Sequence, residues 1–183
     1  MTPTFAIPAG CTECFAMTRL YLLRHAKARW ADPGGRDYDR ALDLSGRADA
    51  DMIAASMLLA GHRPDRVLCS GAKRARETWE IAARHLPVSD VHVTDGLYSS
   101  DAAGYLDIIR QTGGRGSVLV VGHNPMMEDL AMALSSDGDQ HALAAVAGGF
   151  PTCGLAVLRF TTPLGDIAPE DGYLEDFLAP RDL

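Results

Sequence analysis

Four polar clusters stand out in a chain otherwise built of short apolar runs: Arg24-His25, Ser70 with Arg74, Asp95, and Gly122-His123-Asn124. Together they hold two arginines, two histidines and one carboxylate. A guanidinium is a planar fork that matches phosphate oxygens bidentately. A histidine whose ring nitrogen is unprotonated can attack phosphorus, and a second can hydrogen-bond the transferring oxygens. Asn124-Pro125 places backbone N–H groups at a helix start beside His123, where an anion is favoured. Asp95 supplies the carboxylate and also reads as a turn residue before Gly96. No GxxxxGK[ST] loop and no metal-ligand spacing accompanies these residues, so the expected chemistry is phosphoryl transfer with no metal and no cofactor. Singly, each cluster also has a plain reading: Arg24-His25 as a solvated loop, Gly122-His123-Asn124-Pro125 as a turn with an Asn cap.

The case for function rests on what precedes each cluster. Leu20–Leu23, Arg66–Cys69, Val91–Val93 and Val118–Val121 are short apolar runs that predict strands. Between them the spacing predicts helices over about 46–60, 73–85 and 102–111, with another opened by Pro125 and reaching about Ser135. Ser45 is the expected cap of the first. Ala48, Met52, Ala55 and Leu59 would form its apolar face, and Gly61 would end it. Leu155–Phe160 predicts a last strand at a sheet edge. Alternating strands and helices imply an α/β fold with a largely parallel sheet. Strands without polar alternation imply burial on both faces. The expectation is a single-domain three-layer α/β/α sandwich over residues 17–183. In such sheets ligands bind beyond the carboxyl ends of the strands, which is where all four clusters fall.

Composition bounds the partners. The 183 residues carry 17 Lys and Arg against 24 Asp and Glu, a net charge of −7. That balance argues against a general nucleic-acid binder. No apolar run approaches the ~20 residues of a membrane span, and the first residues do not read as a signal peptide. Four cysteines in a chain this long do not suggest a disulfide framework. A cytoplasmic location is expected, with no membrane and no nucleic-acid partner. Cys11 and Cys14 form a C-x-x-C pair without the further ligands a zinc site needs. Residues 1–16 read as a tail, either from a mis-assigned start ahead of Met17 or as an ordered arm. His62 and His85 fit helix ends, and His92 alternates with Val91 and Val93. Met126, Met127 and Met132 fit helix packing. Trp30 and Arg36 either rim the pocket or belong to a plain exposed loop.

Three motifs in register carry a family resemblance. Leu22-Leu23-Arg24-His25-Ala26-Lys27 resembles the Arg-His-Gly signature of the phosphoglycerate-mutase-like histidine phosphatase superfamily. Ser70-Gly71-Ala72-Lys73-Arg74-Ala75-Arg76-Glu77-Thr78 is similar to its second motif, and Val120-Val121-Gly122-His123-Asn124-Pro125 to its third. Ala26 in place of the motif glycine, followed by Lys27, resembles the SixA-type phosphohistidine phosphatases. So do the segment 39–46 and the ending 177–183. The resemblance implies a phosphoglycerate-mutase-like sandwich that needs no metal. It implies that His25 becomes phosphorylated, that Arg24, Arg74 and His123 complete the phosphate pocket, and that Asn124 supports it. Many relatives carry a glutamate acid where this chain offers Asp95. A weak acid would suit a phosphohistidine, whose imidazole leaves readily, better than an alkyl phosphate. The expected partner is thus a phosphohistidine protein. A small phosphorylated substrate, or a phosphate-binding module without turnover, is the alternative.

Overall fold

The first apolar run becomes β1 (Thr18–Arg24), and its side chains alternate between two cores. Leu20 and Leu22 enter one cluster, Tyr21 and Leu23 the other. β4 (Ser117–Gly122) behaves alike, with Val118 and Val120 on one side and Leu119 and Val121 on the other. Over Leu20–Leu23 and Val118–Val121 both strands are therefore apolar at every position, as a sheet covered on two faces requires. The remaining strands are β2 (Arg66–Ser70), β3 (Asp90–Thr94), β5 (Ser135–Gly138), β6 (Leu155–Phe160) and β7 (Gly172–Leu178). In this computed structural model, which describes residues 17–114 and 116–180, they form one seven-stranded sheet ordered β3-β2-β4-β1-β6-β7-β5.

The helices are α1 (Leu44–Leu59), α2 (Lys73–Ala82), α3 (Gly96–Ser99), α4 (Ala102–Arg110), α5 (Met126–Leu134) and α6 (Gln140–Ala147). α1 and α2 cover one face through Ile53, Met57 and Trp79. α4, α5 and α6 cover the other through Tyr105, Ile109, Leu130 and Val146. The three-layer α/β/α architecture is as expected. β3, β2, β4, β1, β7 and β5 run one way and β6 runs against them, so the sheet is mostly parallel.

Several local expectations need correction. Asp43, not Ser45, caps α1: its carboxylate accepts from Gly46 N at 2.7 Å and from Ser45 Oγ at 2.8 Å. The carboxylate is the stronger acceptor, so the helix starts earlier. The buried face of α1 is Gly46, Ala50, Ile53, Ala54 and Met57, whereas Leu59 is 87% exposed. A helix with alanines all round has no single apolar stripe to read. β6 lies inside the sheet between β1 and β7, because the run at 172–178 forms a further strand. β5, β7, α3 and α6 had no sequence expectation. The tail 1–16, with its C-x-x-C pair, lies outside the described residues. No helix among the described residues is long and apolar enough to cross a membrane.

Candidate active site

Parallel pairing sets the strand ends level. Arg24 of β1 stands opposite Gly122 of β4, Cys69 of β2 opposite Val121, and Ser70 opposite Thr94 of β3. Three of the four polar clusters therefore emerge side by side at one edge of the sheet, with Asp95 next to them. The chain then fixes His25 rigidly. Its N–H donates to Gly122 O at 2.9 Å, and its carbonyl accepts from Cys153 N at 3.2 Å. The next residue, Ala26, is fully buried and donates its N–H to Thr78 Oγ1 at 3.0 Å, while the Thr78 hydroxyl donates to Arg74 O at 2.7 Å. One hydroxyl in α2 thereby ties the His25 turn to the residue that carries the second guanidinium.

His25 Nδ1 lies 2.8 Å from Ala26 O, and only a protonated Nδ1 can serve a carbonyl. Arg74 Nε donates to His25 Nε2 at 3.1 Å, and that contact demands a lone pair. Both bonds select the same neutral tautomer, with Nε2 free of hydrogen. Burial holds the His25 imidazole down at about 3, with the charges of His123, Arg74 and Arg24 acting in the same direction. The His123 ring stands 5.0 Å away between centroids. Burial foremost, then Arg74, lowers it to about 4, so both rings are neutral near pH 7. His123 Nε2 meets Ser70 Oγ at 2.8 Å, and Ala72 N also donates to that oxygen at 3.3 Å. The Ser70 hydroxyl hydrogen is then available to Nε2, which places the His123 proton on Nδ1. His123 Nδ1 and Arg24 Nε are both buried with no hydrogen-bond partner among the described residues. Unpartnered buried donors are costly, and these two belong to the residue before His25 and to the ring that faces it.

The structure brings Arg24, His25, Arg74 and His123 together. Asn124 and Asp95 stand apart from these four side chains. The Asn124 amide donates to Phe150 O at 3.1 Å and Glu128 Oε2 at 3.0 Å, and Arg24 NH1 donates to the same Phe150 carbonyl at 2.6 Å. Asn124 thus anchors the loop that holds Arg24. Asp95 is exposed, begins the α3 turn, and accepts from the Tyr38 hydroxyl at 2.6 Å. No hydrogen bond joins it to the other four residues.

The carboxylate that does approach is Asp37, in a single 3-10 turn over Asp37–Asp39. Its Oδ2 lies 3.0 Å from Arg74 NH2, and Arg74 NH1 donates to its carbonyl at 2.7 Å. Its Oδ1 pairs with Arg40 at 2.9 Å, and Tyr98 hydroxyl donates to Oδ2 at 3.2 Å. The Arg40 bond foremost, with Arg74 and Tyr98 adding to it, holds Asp37 below the usual carboxylate range. Tyr98 stands edge-on to His123 at 5.7 Å and edge-on to Tyr38 at 4.9 Å. Asp37, Tyr98, Ser70 and Thr78 had no assigned role in the sequence reading. The charge-alternating run Arg36-Asp37-Tyr38-Asp39-Arg40 was the available signal for the first. Among the described residues, no three His, Cys, Asp or Glu side chains are grouped to share a metal ion.

Known proteins resemble this chain in sequence and in fold. Residues 20–105 match the family described as Histidine phosphatase superfamily (branch 1). An uncharacterized protein of Mycobacterium tuberculosis strain H37Rv is 33% identical over 162 residues, spanning 87% of this chain and 100% of that protein. A crystal structure from Agrobacterium tumefaciens, provisionally assigned as phosphohistidine phosphatase SixA, is 41% identical. It covers 89% of this chain and 98% of that one with a TM-score of 0.77. A similarly assigned protein from Nakamurella multipartitia is 27% identical, covers 90% and 96%, and has a TM-score of 0.74.

Proposed function

The chain belongs to the histidine phosphatase superfamily and is a phosphatase by that membership, and from this we propose that it removes phosphoryl groups from phosphohistidine side chains of proteins. The observation that carries the mechanism is the His25 tautomer. With its Nδ1–H on the Ala26 carbonyl, the Nε2 lone pair faces the Arg74 guanidinium, and the His123 ring stands 5.0 Å away between centroids. In the first step Nε2 forms a bond to phosphorus. The substrate ring carries a proton on its other nitrogen, so when the bond from phosphorus to its imidazole nitrogen breaks the electron pair remains on that nitrogen and the ring leaves as neutral imidazole. In the second step water attacks phospho-His25, orthophosphate leaves, and the Nε2 lone pair is restored. Arg24 Nε, the Arg74 fork and His123 Nδ1 receive the charge on the transferring oxygens. The incoming phosphoryl group must displace Asp37 from Arg74, since both are anions for one fork. Asn124 acts as a positioning residue through the Phe150 carbonyl that it shares with Arg24.

The leaving group supports phosphohistidine over an ester. An alkoxide needs a proton from an acid, and the nearby carboxylates are poorly placed to give one. Asp95 is turned to Tyr38. Asp37 is held ionised by Arg40 and Arg74. A phosphohistidine ring protonated at its far nitrogen departs as neutral imidazole, whose conjugate acid lies near ~6.5, without an acid at the leaving nitrogen. A substrate panel tests the reading: a histidine-phosphorylated protein, a phosphoserine peptide and a sugar phosphate, each with EDTA present. We expect the phosphohistidine protein to give the highest kcat/KM, His25→Ala to give none, and Asp95→Asn to leave the phosphohistidine rate unchanged. Faster hydrolysis of the sugar phosphate would favour small esters. Phosphate binding without turnover of any of the three would make the chain a binding module.

A further inference from the structure

The chain has two lysines, Lys27 and Lys73, and both sit beside the site: Lys27 two residues after His25, Lys73 immediately before Arg74. Lys73 closes one side of a cavity of about 140 Å³ whose other walls include Arg29, Trp30, Arg36 and Arg40. Two acidic side chains, Asp32 and Asp39, also line it, and Asp39 is engaged by Arg36 at 2.7 Å. Arg29 and Lys73 have no ion-pair partner among the described residues. The cavity thus carries excess positive charge on a molecule whose net charge is −7. Trp30 forms part of its wall and is 90% exposed, under the Arg40 guanidinium at 5.5 Å from the ring centroid. A solvated indole beside arginines matches the composition of interface hot spots. The cavity is joined to the chemistry by one bridging carboxylate, since Asp37 holds Arg40 through Oδ1 and Arg74 through Oδ2.

From this we propose that the Arg29–Trp30–Arg40–Lys73 cavity is a docking site for an acidic segment of the phosphorylated protein. The inference rests on the phosphohistidine-protein reading and names the kind of protein it would select. Acidic side chains next to the phosphohistidine would enter the cavity while the phosphoryl group reaches His25. The local positive field offsets the repulsion that a −7 surface exerts on an acidic partner, and clefts of one charge raise encounter rates. A carboxylate taken by Arg40 would also loosen that residue's hold on Asp37, the anion that the phosphoryl group must displace.

Two synthetic phosphohistidine peptides test it, one flanked by glutamates and one by serines. The wild-type chain should turn over the glutamate peptide with about tenfold higher kcat/KM. The preference should vanish near 1 M salt, where the screening length falls to about 3 Å. Arg29→Glu with Lys73→Glu should abolish the preference and leave turnover of an aryl phosphate unchanged. Both side chains are exposed, and Arg29→Lys should retain the preference. Binding is read separately with the unphosphorylated glutamate peptide, which should alter the fluorescence of Trp30, the other tryptophan, Trp79, being buried. Equal kcat/KM on both peptides, or a double variant that still prefers glutamate, would overturn the docking site. Binding of phosphatidylserine vesicles without binding of the peptide would overturn it in favour of a lipid surface. Peptide binding that the double variant loses, with no turnover of any substrate, would uphold the docking site and remove the phosphatase reading.

Discussion

Arg74 uses its guanidinium in two directions, with Nε toward His25 Nε2 and the two terminal nitrogens toward Asp37. A lysine at this position is a point charge with no fixed fork and cannot hold both. Arg74→Lys should therefore lower kcat on a phosphohistidine substrate by about 10²–10³, the usual cost of removing one charge-stabilising donor. Steady-state rates on folded variant check this, and wild-type rates would place Arg74 outside the chemistry. The two histidines make a separate prediction. Burial holds His25 at about 3 and His123 at about 4, against about 6.5 in an unfolded chain. Between those values the unfolded chain binds protons that the native chain excludes, so stability falls as pH drops from about 6.5 toward about 4. The slope is about 1.4 kcal/mol per pH unit for each histidine that stays neutral in the native chain while it is protonated in the unfolded one. Urea unfolding over that range should show a shallower slope for His25→Gln than for the wild type. Equal slopes would mean that His25 titrates normally in the folded protein. At this scale the sequence revealed the conjunction Arg24, His25, Arg74 and His123, because each lies at or shortly beyond the carboxyl end of an apolar run. Asp37 was hidden because its approach to Arg74 depends on how a loop closes 37 residues earlier in the chain.

The elements hold the site through a few backbone groups. Thr78 joins the turn after β1 to the first turn of α2, accepting from Ala26 and donating to Arg74. Thr78→Val keeps the shape and removes the hydroxyl, leaving a buried Ala26 N–H without a partner. We expect a loss of about 1–3 kcal/mol in stability together with a lower kcat, since His25 and Arg74 lose their common anchor. Thermal unfolding and steady-state kinetics on one sample read both, and a loss of stability with unchanged kcat would confine Thr78 to packing. Gly46 shows how closely α1 approaches the same turn: a Cβ there would lie 2.1 Å from Lys27 O, so glycine is the residue that lets the helix start beneath the His25 loop. β1, β2 and β4 were legible because buried strands are apolar without interruption. The face of α1 was not, because alanines and methionines surround it. β7 was missed because Gly172-Tyr173-Leu174-Glu175-Asp176-Phe177-Leu178 mixes charge into a strand that has β6 on one side and β5 on the other.

At the scale of the whole molecule, the order β3-β2-β4-β1-β6-β7-β5 puts β1 and β4 at the centre of the sheet. The two residues that follow these strands, His25 and His123, are therefore set by the most buried part of the fold, while the Asp37 turn and the Trp30 loop lie at the surface. That division explains what the sequence could disclose: the α/β layering and the central pocket follow from local periodicity, whereas the surface loops depend on contacts between distant segments. From this placement of His25 follows the chemistry that matters most, that phosphorus passes through His25 Nε2. The direct measurement is phosphorus NMR and peptide mass analysis of enzyme mixed with a phosphohistidine substrate and quenched in alkali, where a phosphoramidate survives. We expect a phosphoryl group on the peptide that contains His25, bonded at Nε2 and absent from His25→Ala. A phosphoryl group at Nδ1 or on His123, or burst-phase turnover with no phosphorylated enzyme, would contradict it.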